Sequence, residues 1–102
     1  MDTEQLQKKM AELWMRHLTE ITARVGVLER ACSVLDAGKF SEEERKVASA
    51  AAHKLAGVLG TFGRSRGTEL ARQVEGMLDD GSDDFEKIKT LVSELRRIVG
   101  EN

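Results

Sequence analysis

The chain has no proline, no tyrosine, one cysteine, one tryptophan and no long apolar run. Each shortage closes a route. A single thiol, Cys32, cannot form an internal disulfide; it falls on an apolar stripe, where it packs as a small hydrophobe, and a reducing compartment fits. Two histidines far apart in the chain and no cysteine cluster give no metal-ligand spacing. No apolar stretch approaches the roughly 18–20 residues that cross a bilayer. The first residues, MDTEQLQKK, have neither the charge order nor the apolar centre of a signal peptide, so the expectation is a cytoplasmic protein with no membrane partner. Neither sign of charge dominates: 16 basic and 18 acidic side chains are interspersed, net −2, and no basic face recruits nucleic acid. No segment alternates β-branched and aromatic residues at period two, and no hairpin signal joins two such segments, which excludes a sheet.

What is abundant is a helical vocabulary of Ala, Leu, Glu, Lys and Arg, so the fold class is all-α. At 102 residues the chain makes one domain with one core. Apolar residues run Leu6, Met10, Leu13, then Trp14, Leu18, Ile21, Val25, Leu28, Cys32 and Leu35, alternating steps of three and four. The stripe shifts by one residue at Leu13-Trp14. That shift marks either a bend between two helices or a face wide enough for two neighbours. His17 extends the earlier line as a partly buried packing residue, while Met10, Trp14 and Met15 fill the core or form an exposed apolar patch.

Gly38 is placed as a left-handed helix end. Ser41 with Glu44 three residues on is a capping box, stapled by Phe40. The helix that starts there buries Ala48, Ala52, Leu55, Leu59 and Phe62 and ends near Gly63, followed by a connection Arg64-Ser65-Arg66-Gly67. A shorter helix carries Leu70, Ala71, Val74, Met77 and Leu78 and breaks at Asp79-Asp80-Gly81. Ser82 or Asp83 caps the last, with Phe85, Ile88, Leu91, Val92, Leu95, Ile98 and Val99. Short connections favour antiparallel neighbours. The expected architecture is an up-down-up-down four-helix bundle over residues 17–100 with an additional N-terminal helical segment over 1–16, forming a monomer.

One helix carries glycine where glycine is costly. In AHKLAGVLGTFG, residues 52–63, Gly57, Gly60 and Gly63 recur every three residues, and each interior glycine costs about 0.5–1 kcal/mol against alanine. With His53 as the origin and about 100° per residue, Gly57 lies at about 40°, Gly60 at about −20° and Arg64 at about 20°. His53 therefore heads a stripe of small residues with a basic end, off the core face, where a partner can come close. A neutral imidazole nitrogen attacks electrophiles such as an acyl phosphate, and Lys54 and Arg64 can offset the charge of a phosphoryl group once attached.

The run His53-Lys54-Leu55-Ala56-Gly57-Val58-Leu59-Gly60-Thr61-Phe62-Gly63, followed by Leu70-Ala71-Arg72-Gln73-Val74-Glu75, resembles the signature of histidine-containing phosphotransfer (HPt) domains of two-component phosphorelays. The resemblance implies that His53 is the phosphoacceptor, attacking through Nε2. Gly57 would admit a receiver domain's acidic pocket, and Glu75 would bond the other ring nitrogen; Gly60 shares the face of His53, and both glycines either keep that face open to a partner or serve tight helix packing. It implies a phosphorelay intermediate that takes a phosphoryl group from a receiver aspartyl phosphate and hands it to another receiver aspartate. Receiver domains and a hybrid histidine kinase are the implied partners. Magnesium would come with the receiver rather than with this chain, which has no cofactor and, lacking a nucleotide-binding motif, no kinase activity of its own. Ala56 departs from the family, which usually has lysine three residues after the histidine. The alternative is therefore an HPt-derived module that binds a receiver without passing phosphate.

Overall fold

The computed structural model describes residues 2–100. The chain forms four helices: α1 Thr3–Asp36, α2 Glu42–Thr61, α3 Ser65–Asp79 and α4 Phe85–Val99. Helix α1 begins with a capping box: the Asp2 carboxylate accepts from Gln5 N at 2.8 Å and the Gln5 side chain accepts from Asp2 N. From there it runs unbroken through Leu13-Trp14, so the shift in its apolar stripe is not a bend between helices; it falls where α1 enters the bundle, the buried line starting at Trp14 while Leu6, Met10 and Leu13 before it are not buried. The N-terminal segment is accordingly no separate helix; within the described residues, 3–16 are the start of α1 itself. At about 1.5 Å per residue its 34 residues span the 51 Å long axis of the molecule, whereas the 20 residues of α2 reach only about 30 Å. The first turns of α1 thus project past the bundle, and their side chains, Leu6 included, are exposed.

Ser41 caps α2 by accepting from Glu44 N, and its hydroxyl donates to the Glu44 carboxylate. Glu42, Glu43 and Glu44 stand in the first turn, where the helix dipole favours negative charge. The Phe40 staple closes on a cation, the Arg45 guanidinium lying 5.1 Å from the ring centre. That guanidinium also donates to Leu78 O near the end of α3. Helices α1 and α2 both end in a turn around a left-handed glycine, Gly38 at φ 71 and Gly63 at φ 69, a conformation that costs a side-chain-bearing residue more. In each turn the glycine N–H and the next N–H donate back to carbonyls of the last helical turn.

Two boundaries differ from expectation. Residues 65–67 belong to α3, not to the connection, because Gly67 is a packing position: a methyl group there would stand 3.0 Å from Leu59 Cδ1 and 3.6 Å from Ile98 Cγ2. The cap of α4 is Asp84, accepting from Lys87 N, and neither Ser82 nor Asp83; the Ser82 hydroxyl instead accepts from Asp84 N.

Helix directions follow from cross-helix contacts. Ser49 meets Asp79 and His53 meets Glu75 between α2 and α3, and Glu29 meets Arg96 and Asp36 meets Lys89 between α1 and α4, so residue numbers rise on one helix as they fall on its neighbour; Trp14 meets Phe62 just past the end of α2, and Gly67 in the first turn of α3 faces Ile98 in the last turn of α4. Consecutive helices are antiparallel and α4 closes onto α1, while the backbones of the diagonal pairs α1–α3 and α2–α4 stay more than 8 Å apart between Cα atoms. This is an all-α up-down-up-down four-helix bundle. Its centre holds the fully buried Ile21, Leu28, Leu55, Leu59, Leu70 and Leu95, each contributing about 1.5–3 kcal/mol of burial. Small residues, Ala48, Ala51, Ala52 and Ala56, line the buried side of α2, so α3 packs close against it. That closeness positions the site.

Candidate functional site

His53 projects from the middle of α2 with 73% of its side chain exposed, and its Nδ1 lies 2.8 Å from Glu75 Oε2 on α3, which is 25% exposed. A carboxylate only accepts hydrogen bonds, so Nδ1 is the ring nitrogen that carries the hydrogen. In the neutral ring Nε2 then keeps its lone pair and faces solvent. The bond does two things: it selects the tautomer and it holds the ring plane.

The pair is braced on both sides along the same seam. One turn toward the start of α2, the Ser49 hydroxyl donates to the Asp79 carboxylate. One turn the other way, Thr68 Oγ1 donates to Ala56 O at 3.2 Å. Neither brace was expected from the sequence. The signal was present in the register: His53–Glu75 and Ser49–Asp79 share the same sum of residue numbers, as antiparallel neighbours must.

The glycines of α2 separate. At Gly57 a methyl group would meet no other helix and no side chain beyond its chain neighbours within 4 Å, so the surface beside His53 is open. At Gly60 it would meet Thr68 Oγ1 at 3.5 Å; Gly60 is turned toward α3 and serves the packing of the seam as well as its surface. Lys54 is exposed beside His53, about 100° round the helix.

Arg64 does not join this group. Helix α2 stops at Thr61, and the left-handed turn at Gly63 redirects the chain, so the helical spacing that aligned Arg64 with His53 no longer applies. Its guanidinium lies 4.2 Å over the ring of Trp14, against the end of α2, with Nε buried and without a hydrogen-bond partner. Trp14, only 4% exposed, stacks edge-on against Phe62 at 5.4 Å between centroids. No Met10–Trp14–Met15 patch forms; Met15 is exposed alone, and His17, which was read as packing, is exposed beside Glu20 and Phe62.

Among the described residues no group of three His, Cys, Asp or Glu side chains is placed to hold a metal ion, and no helix is long and apolar enough to cross a membrane. The arrangement is that of an exposed, oriented nucleophile on a rigid helix, with open backbone beside it. A family model described as "Hpt domain" matches residues 12–98. Protein RcaC of Microchaete diplosiphon is 31% identical over 93 residues, covering 86% of this chain and 14% of RcaC, so the chain spans a small part of that relative's length. No solved structure matches the chain.

Proposed function

The chain belongs to the Hpt domain family, whose role is histidine phosphotransfer in phosphorelays, and on that premise we propose that His53 is the residue that carries the phosphoryl group between two receiver domains. The observation that supports it is the 2.8 Å bond from His53 Nδ1 to Glu75, which leaves Nε2 free and exposed. In the step, the Nε2 lone pair attacks the phosphorus of a receiver's aspartyl phosphate. An N–P bond forms, the P–O bond to the aspartate breaks, and the aspartate leaves as a carboxylate with that electron pair. The ring gains positive character, which the Glu75 carboxylate offsets while it keeps the Nδ1 hydrogen. Transfer onward is the same step in reverse, with a second receiver aspartate attacking phosphorus.

Gly57 admits the receiver's acidic pocket to within bonding distance of Nε2, and Lys54 flanks the approach. Magnesium enters with the receiver's carboxylates and neutralises the phosphoryl oxygens during transfer. The partners are receiver domains and a hybrid histidine kinase, met in the cytoplasm by a monomer. The test is to incubate the chain with phosphorylated receivers and follow acid-labile, base-stable label on wild type and His53→Gln. Label on wild type alone supports the reading. Absence of label with every receiver of the source organism overturns it in favour of a module that binds without transferring.

A further inference from the structure

A phosphoryl group on His53 would stand beside the Glu75 carboxylate, and that excess of negative charge needs a cation. The register of the α2–α3 seam says which residue is placed to supply it. Ser49 bonds Asp79, His53 bonds Glu75, and Gly60 faces Thr68 across the seam; in each pair the residue numbers reach the same total. Antiparallel helices in that register set Ala56 opposite Arg72, one turn from the His53–Glu75 pair. On α3, Thr68, Arg72, Glu75 and Asp79 follow at steps of four, three and four, so all four share the face that borders α2. Ala56 is 5% exposed and carries no charge.

Arg72 is exposed, lines a surface groove with Gly60 and Thr68, and makes no ion pair with any of the described residues. The neighbouring arginines are engaged: Arg66 with Glu69 and Glu94, Arg45 with Glu42 and Leu78 O, Arg64 with Trp14. Lys54 lies on the flank of α2 turned away from the seam, since Ser49, Ala56 and Gly60, which meet α3, all fall on the other side of His53 around the helix. Lys46 is two turns off.

We propose that Arg72 is the residue that binds the phosphoryl group on His53, its guanidinium fork reaching along the seam from the position opposite Ala56 to pair with two phosphoryl oxygens. This rests on the phosphotransfer reading above. The charged groups facing the phosphoryl group are then Glu75 and Arg72 from α3 and Lys54 from α2; Asp79 is held by Ser49 and Glu69 by Arg66.

The experiment phosphorylates the intact chain with phosphoramidate, a small donor that needs no receiver, and follows the phosphorus NMR signal against pH. Removing a cation that pairs with the dianion makes the phosphoryl group take up its proton at higher pH. Arg72→Ala is expected to raise that midpoint by about half a pH unit or more and to move the transfer equilibrium with a phosphorylated receiver about three- to tenfold away from this chain. Arg72→Lys retains most of the effect, and Lys54→Ala moves the midpoint less than Arg72→Ala. Because Arg72 is exposed, thermal unfolding of the unphosphorylated variants stays with wild type, which separates charge pairing from a structural role. A wild-type chain that takes up phosphate while Arg72→Ala titrates together with it, or a larger shift from Lys54→Ala, overturns the assignment and leaves phosphotransfer intact. A wild type that takes no phosphate from phosphoramidate or from any receiver overturns both.

Discussion

Gly57 lies one turn beyond His53 in the middle of α2, exposed, with no neighbouring helix within 4 Å of where a methyl group would sit. Alanine there restores about 0.5–1 kcal/mol of helix propensity and touches nothing inside the domain. For a domain of this size that gain corresponds to a rise in Tm of about 2–8 °C. Leucine keeps most of the gain and stands as a bulky side chain on the approach to Nε2. Phosphoramidate, being small, should label His53 of Gly57→Leu within about twofold of the wild-type rate. Transfer from a phosphorylated receiver should slow about tenfold, the equivalent of losing roughly 1.4 kcal/mol of docking, and Gly57→Ala should fall between. The assays are thermal unfolding by circular dichroism and timed transfer of label. Gly67 is the internal contrast: there the same methyl group meets Leu59 at 3.0 Å inside the core, and overpacking outweighs propensity, for a net loss of about 0.5–2 kcal/mol. If Gly57→Leu melts higher than wild type yet receives phosphate from its receiver at the wild-type rate, Gly57 is not kept for access. If Gly57→Ala melts lower, the space beside His53 is not open.

Three further outcomes test other parts of the structure. Glu75→Ala should slow phosphoryl uptake about tenfold or more through loss of a charged hydrogen bond, while the receiver Kd changes less than about twofold; equal uptake removes Glu75 from the site. Hydrogen bonds from Arg96 hold the Glu29 carboxyl below its usual value of 4.5, so the bridge between α1 and α4 adds stability above that pH and loses it as pH falls through the lower folded value. The pair is partly exposed, so the denaturation gap between wild type and Glu29→Gln should be only a few tenths to about 1 kcal/mol at neutral pH and should close as the pH falls below the usual carboxyl value; a gap independent of pH contradicts the linkage. Burial pushes the Cys32 thiol up, so an aromatic disulfide reagent should modify it only as fast as the chain unfolds, and prompt labelling of the native protein would place Cys32 at the surface.

The helices were legible because each buries one stripe, and a stripe is a property of a single segment. The errors fall where one segment depends on another. Gly67 reads as a loop residue because glycine usually breaks a helix; it is helical because Leu59 and Ile98 occupy the space a side chain would take, and no pattern within residues 64–67 contains that fact. Arg64 aligned with His53 only while α2 was assumed to continue, and the left-handed Gly63 ends it two residues early. The one-residue shift at Leu13-Trp14 was compatible with a bend or a wide face; it is neither, because the line before it, Leu6, Met10 and Leu13, is not buried, and the buried line starts at Trp14, which Phe62 and Arg64 cover from the far end of α2.

His53 and Glu75 were found together through a resemblance that spans two helices, which is the kind of information single segments lack. Once that pair is in contact, the antiparallel register propagates along the seam without further input: Ser49 must meet Asp79 and Gly60 must face Thr68, and both do. The same arithmetic brings Arg72 to Ala56. The departure of Ala56 from the family pattern looked like a missing charge because it was judged on α2 alone. Judged across the seam, the position opposite holds an arginine with no ion pair among the described residues, so the charge has a source on α3, and the buried alanine leaves room for the two helices to close.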